Sequence, residues 1–164
     1  MGDVGRRATV ITVSTRAANG VYEDAAGPLL VDQLEDAGFT VAPVVIVPDG
    51  RDVVADALRA ALDEADVIVT TGGTGLHPRD ETPQATADVI EHTVDGIAEA
   101  MRAAALRITP MGMLSRAVAG VAQGTLIVNL PGSPKGATEN LAAVLPVLGH
   151  AVDQLHGGDH PRGS

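Results

Sequence analysis

"VTTGGTGLHPRDETP", residues 69–83, packs three glycines and four threonines into fifteen positions and carries no charge before Arg79. It continues "DVIVTT" (66–71), whose β-branched, apolar run reads as a buried strand. The strand therefore empties directly into glycine. Gly72, Gly73 and Gly75 can take positive φ, so a ligand can press against bare backbone there. Successive exposed N–H groups form an anion-binding nest, to which the hydroxyls of Thr70, Thr71 and Thr74 add donors.

Outward from this stretch the pattern alternates. Upstream, "RRATVITVST" (6–15) and "FTVAPVVIV" (39–47) read as strands. "EDAAGPLLVDQLEDAG" (23–38) reads as a helix with Leu29, Leu30, Leu34 and Ala37 at helical spacing and Gly38 as its cap. "RDVVADALRAALDEA" (51–65) is strongly periodic, with Val54, Ala57, Leu58, Ala61 and Leu62 on one face. Downstream, "TPQATADVIEHTV" (82–94) predicts a helix with Thr82 as N-cap, and "DGIAEAMRAAALRI" (95–108) a second. "AVAGVAQGTLIVNLPG" (117–132) predicts a hairpin turning at Gln123-Gly124, and 136–155 a final helix bent near Pro146. The order β-α-β-α-β with uncharged strands predicts an α/β fold: three layers, α/β/α, around a mostly parallel sheet. The expectation is one domain over 1–164, with a core at about 8–155 and a flexible tail at 156–164.

Composition narrows the chemistry. The formal charge is −10, from 11 basic and 21 acidic residues, which argues against nucleic acid as a partner. Tyr22 and Phe39 are the only aromatics, so the core is aliphatic and any bound ring is expected to rest on aliphatic surface. Cysteine is absent, which excludes thiolate chemistry and disulfides. No run approaches 18 apolar residues and the first residues lack a signal-peptide core, so no membrane association and a cytoplasmic location are expected. The histidines are scattered and no HExxH motif occurs.

The glycine turn matches neither the P-loop, since no basic residue lies between Asp66 and Pro78, nor GxGxxG. An anion cradle beside Asp80 is repulsive unless a cation sits between, and Mg²⁺ shared by phosphate and one or two carboxylates is the usual solution. Asp49 in "VPDG" (47–50) follows a neighbouring strand and is the second candidate ligand. Read alone, Asp49 is also a turn former and Arg79–Asp80 a surface ion pair. "PMGMLSRAVAG" (110–120) sets Ser115 beside Arg116, and "NLPGSPKG" (129–136) holds Lys135, the only lysine, in a turn suited to phosphate.

Taken together, "VTTGGTG…PRDETPQAT", "TPMGMLSRAVAGV" and "LIVNLPGSPKGATENL" resemble the molybdopterin-binding MoaB/Mog family, in particular the G domains of plant and animal molybdenum-cofactor proteins such as gephyrin. The likeness spans about residues 8–155. It implies a molybdopterin adenylyltransferase in molybdenum cofactor biosynthesis: ATP and molybdopterin give adenylyl-molybdopterin and pyrophosphate, with Mg²⁺. A non-catalytic carrier paralogue is the alternative. Homotrimers, hexamers in some relatives, and a molybdenum insertase as downstream partner are further implications. By motif, Asp49 and Asp80 correspond to the catalytic and metal-binding acids, and Thr71, Gly72, Gly73, Thr74 and Gly75 to the nucleotide loop. Ser115 matches a serine tied to molybdopterin, and Pro131, Gly132, Ser133 and Lys135 border the same pocket. Ser14 ends the first motif, where the family has Ser-Asp and this chain has Ser14-Thr15. Asp24 in "GVYED" either supports the site or starts a helix.

Overall fold

The computed structural model describes residues 5–158; residues 1–4 and 159–164, which include most of the expected tail and His160, lie outside the described residues. Strand β1 (Arg7–Val13) is followed by one helical turn, α1 (Thr15–Ala18), and by α2 (Ala26–Asp36). Two short strands, β2 (Thr40–Val41) and β3 (Val45–Val47), precede α3 (Arg51–Ala61) and β4 (Val67–Thr71). Next come α4 (Thr82–Val89), β5 (His92–Thr93), α5 (Asp95–Leu106) and a 3₁₀ turn (Pro110–Leu114). Strands β6 (Ala119–Ala122) and β7 (Thr125–Leu130) lead into α6 (Pro134–Leu155).

The sheet runs β2-β1-β4-β7-β6-β5, with β3 also paired to β1. Strands β1 to β4 and β7 are parallel, and β5 and β6 add an antiparallel margin, so the mostly parallel three-layer expectation holds. Strand alternation sorts the core in two. Val10, Val67, Val69, Leu126 and Val128 face α2, α5 and α6, while Ile11, Ile68 and Ile127 face α3 and α4. At the hairpin, Gln123 and Gly124 both take positive φ, 50° and 76°, as a two-residue turn between twisted strands demands.

Five local expectations are corrected. The second strand is split: pairing to β1 stops at Ala42 and resumes at Val45 with the register shifted by one residue, a bulge in which Pro43 sits. The helix expected to run to Val94 ends at Val89, because Ile90 turns extended and Glu91 to Val94 pair against β6. Thr82 is not its cap: Glu81 holds that position, and Thr82 ties the glycine turn instead. Leu29 is 45% exposed, leaving Leu30 and Leu34 to fill the core side of α2. The last helix starts two residues early, at Pro134, and runs through Pro146.

One buried amide crosses three elements. Asn129 is fully buried on β7; its Nδ2 donates to Thr70 Oγ1 at 3.1 Å and to Thr86 Oγ1 at 2.9 Å, while Oδ1 accepts from Val118 N–H at 3.1 Å. Thr86 passes its own proton to Thr82 O. The network is satisfied throughout, so removing its centre orphans several groups at once. Asn129→Leu is therefore expected to destabilise the fold by about 3 kcal/mol, read from the shift of the urea midpoint. An unchanged midpoint would mean that these hydrogen bonds are dispensable.

Candidate active site

The glycine turn lies at the carboxyl ends of β1, β4 and β7, where ligands collect in open α/β sheets. Gly72 has φ +104°, its N–H donates to Leu130 O at 3.1 Å, and a Cβ there would stand 2.3 Å from Val13 O. Gly73 has φ +70° and its carbonyl accepts from Thr82 N–H at 3.1 Å, while Thr82 Oγ1 donates to Gly72 O at 2.9 Å. Gly132 crosses directly over Gly72: a Cβ on Gly132 would meet Gly72 Cα at 3.3 Å. Thr71 Oγ1 donates to Pro131 O at 2.7 Å, which binds the two loops together. Of the three hydroxyls expected to serve a ligand, those of Thr70 and Thr71 are thus spent internally. Thr74 lines a cavity.

Two cavities meet at this crossing. The first, about 580 Å³, is polar and is lined by Asp24, Asp49, Asp80, Gly72 and Tyr22. The second, about 460 Å³, lies between the 3₁₀ turn and the start of α6, and takes in Thr74, Gly75, Ser115, Pro131 and Ser133. Gly73, Asp80 and Gly132 line both. Ser14 lines the first cavity, with its Oγ accepting from Ala17 N–H. Tyr22 brings an aromatic face where only aliphatic surface was expected, and the Arg16 guanidinium sits 6.0 Å from its ring centre.

The carboxylates differ in what they have left to offer. Asp24 is committed at both oxygens, accepting from Thr12 Oγ1 and Gly27 N–H, so it starts α2 and braces β1. Asp49 Oδ2 accepts from Thr15 N–H at 3.1 Å and Thr15 Oγ1 at 2.7 Å, and the same hydroxyl accepts from Asp49 N–H. Asp80 Oδ2 accepts from His77 N–H at 3.1 Å, while Asp80 N–H donates to His77 O at 2.8 Å. Asp49 and Asp80 each therefore keep one oxygen without a partner among the described residues. Their turns are tied together: Arg51 N–H donates to Glu81 at 2.9 Å, and the Arg51 guanidinium grips Asp88 of α4 through two 2.7 Å bonds. That hydrogen-bonded guanidinium holds the Asp88 carboxyl below its usual range, so this exposed pair contributes above that range and fades as pH falls through it.

No group of three or more acidic or histidine side chains that could hold a metal occurs among the described residues. Asp49 and Asp80 line one cavity with one unbonded oxygen each, a donor set that suits a hydrated Mg²⁺ and would not cage the ion alone. The helix N-terminus at the site belongs to α6 rather than to the segment following the glycines. Ser133 Oγ caps it at 3.0 Å from Gly136 N–H, with Pro134 in the first cavity and Gly136 in the second. Lys135 lies between them yet lines neither cavity; its side chain is 80% exposed, 3.8 Å from Glu139.

Two participants escaped the sequence reading. Arg116 was visible only as Ser115's neighbour, yet its guanidinium spans carbonyls of the glycine turn. Thr15 stood out only as a departure from the motif, yet it fixes Asp49. A polar residue inside an apolar strand, Asn129, was the one further signal available.

A polar cavity with two half-free carboxylates thus adjoins a second cavity across glycine backbone. Residues 9–150 match the family described as a probable molybdopterin binding domain, and the chain belongs to that family, whose theme is molybdenum cofactor biosynthesis. It is 40% identical over 154 residues to a molybdopterin adenylyltransferase of Helicobacter pylori, covering 90% of this chain and 86% of that one. It is 42% identical over 154 residues to the molybdenum cofactor biosynthesis bifunctional protein of Synechococcus elongatus, spanning 93% of this chain but only 48% of that longer protein. The solved structure of the molybdopterin biosynthesis enzyme MoaB from Thermus thermophilus superposes with a TM-score of 0.87 at 47% identity, over 93% of this chain and 97% of that one.

The closeness of the loops is testable without any ligand. Gly72→Ala places a side chain at positive φ and against Val13 O, and is expected to cost about 2 kcal/mol or more in thermal or urea unfolding. A variant as stable as the parent would show that the turn relaxes freely.

Proposed function

We propose that the protein is a molybdopterin adenylyltransferase that moves the adenylyl group of ATP onto the terminal phosphate of molybdopterin and releases pyrophosphate. One observation carries the reading: Asp80 lines both cavities, so a phosphate in one can reach a phosphate in the other beside a single carboxylate. Family membership and the Helicobacter relative support the same chemistry.

The nucleotide fits the polar cavity. Its triphosphate lies along the backbone of Gly72 and Gly73 and towards the N-terminus of α6, and Tyr22 offers its ring to the base. Molybdopterin fits the second cavity, with its phosphate towards Ser115 and the Pro131-Gly132-Ser133 turn. Lys135, outside both cavities and near Glu139, would have to swing inward to reach an anion. The attacking phosphate oxygen is already ionised at neutral pH, so no general base is needed. A bond forms from that oxygen to the α-phosphorus, and the bond from the α-phosphorus to the pyrophosphate oxygen breaks. Catalysis reduces to in-line placement and neutralisation of charge. Bound Mg²⁺ would supply that neutralisation, held by the free oxygens of Asp49 and Asp80. Thr15 and His77 keep those carboxylates aimed by occupying their other oxygens.

Assembly into a homotrimer, a cytoplasmic setting and delivery to a molybdenum insertase belong to the same reading. Exposed Leu106, Ile108, Met111 and Met113 supply an apolar surface for association. Light scattering is expected to return three times the chain mass of 16.6 kDa.

The deciding assay incubates the protein with labelled ATP, Mg²⁺ and molybdopterin and follows pyrophosphate. Asp80→Ala is expected to lower turnover at least about a hundredfold while molybdopterin still binds, and Asp49→Ala to lower it less. Molybdopterin binding without pyrophosphate release by the parent protein would identify a carrier instead. Normal turnover by Asp80→Ala would remove Asp80 from the chemistry.

A further inference from the structure

Arg116 does something that neither cavity explains alone. Its backbone N–H donates to Thr74 O at 2.9 Å, Nε donates to Gly75 O at 2.8 Å, one terminal nitrogen donates to Asp80 O at 2.5 Å, and the other to Gln84 Oε1 at 3.3 Å. One half-buried side chain thus holds the start, the end and the exit of the turn that carries Asp80. All of its acceptors are neutral, and no acidic side chain lies within ion-pair distance of it among the described residues. A guanidinium spread over carbonyls fixes geometry through its rigid fork while its charge stays uncompensated.

The other end of this strut is also braced. Ser115, which lines the second cavity, is the preceding residue, and its Oγ accepts from Ala117 N–H at 3.2 Å. Arg102 of α5 donates to Ala117 O at 2.9 Å and to Ser115 O at 3.5 Å. Residues 115–117 are therefore anchored to the helical wall of the second cavity, and Arg116 carries their position across to Asp80, which lines both cavities.

We infer that Arg116 is a positioning residue that couples the two cavities. A ligand seated against Ser115 fixes the 115–117 segment; the guanidinium then fixes the Gly75 and Asp80 carbonyls, and the polar cavity is ordered before its own ligand arrives. The ordering cost is met once for two ligands, so each favours the other. This rests on the reading that molybdopterin and ATP occupy the two cavities.

Calorimetry on the full chain tests it, with α,β-methylene-ATP and Mg²⁺ as one ligand and molybdopterin as the other. Each ligand is expected to tighten the other about tenfold in the parent protein, by the same factor in both directions. In Arg116→Gln the factor is expected to fall to about one, with each ligand alone binding within about threefold of the parent. Arg116→Lys keeps the charge but cannot span both carbonyls, so it is expected to lose the coupling as well, which separates positioning from mere charge. A coupling factor that survives in both variants overturns the inference, even where separate affinities or thermal stability fall. Binding of both ligands by the parent with a factor of one overturns it while leaving the functional reading intact. Binding of neither ligand by the parent sinks that reading, and the inference with it.

Discussion

At Gly72 three parallel strand tips come so close that no side chain fits between them. Val13 O on one side and Gly132 on the other bracket its α-carbon, and Leu130 O takes its N–H. Everything functional about the molecule is arranged around this contact. The sheet must be registered correctly for the tips to meet, which the paired runs of β1, β4 and β7 and the Asn129 network enforce. Once they meet, the turn after β4 and the turn after β7 share a seam, and the two cavities open on either side of it. Close packing of backbone here sets the two cavities side by side.

Charge sets the second constraint. A chain with ten more acidic than basic residues places very few cations around its cavities. Arg16 and Arg79 line the polar cavity, while Lys135 stays outside it. The backbone of the glycine turn, the amino end of a 22-residue helix and the carboxylates of Asp49 and Asp80 supply the rest of the polar lining. The hydrogen bonds around Asp49 and Asp80 divide each carboxylate into a fixed oxygen and an available one, so the side chains keep their aim with no ligand bound.

The framework was legible because strands and helices here follow their own periodicities. The run 66–71 holds the buried strand Val67–Thr71, Gln123-Gly124 is a turn, and Val54, Leu58, Ala61 and Leu62 share a buried face as their spacing demands. The failures are tertiary. Nothing local stops a helix at Val89; the partner strand β6 does that by pairing with His92 and Thr93. Thr82 has the chemistry of a cap, but the nearby glycine carbonyls give its hydroxyl a better acceptor. Within the site, residues on chain-local motifs were found and brought to one seam, whereas Arg116 and Thr15 act on partners 41 and 34 positions away. Lys135 stood out by its solitude in the sequence, and its side chain turns to Glu139, one helical turn along.

The bulge at Pro43 has an effect well away from any ligand. By splitting one margin of the sheet into strands of two and three residues, it leaves no continuous row of free N–H and C=O groups along that side. Val45 and Ile46 are about 40% exposed there, and on an unbroken edge such residues would invite a neighbouring molecule to extend the sheet. With the border interrupted, the stretch open to such pairing is at most three residues long.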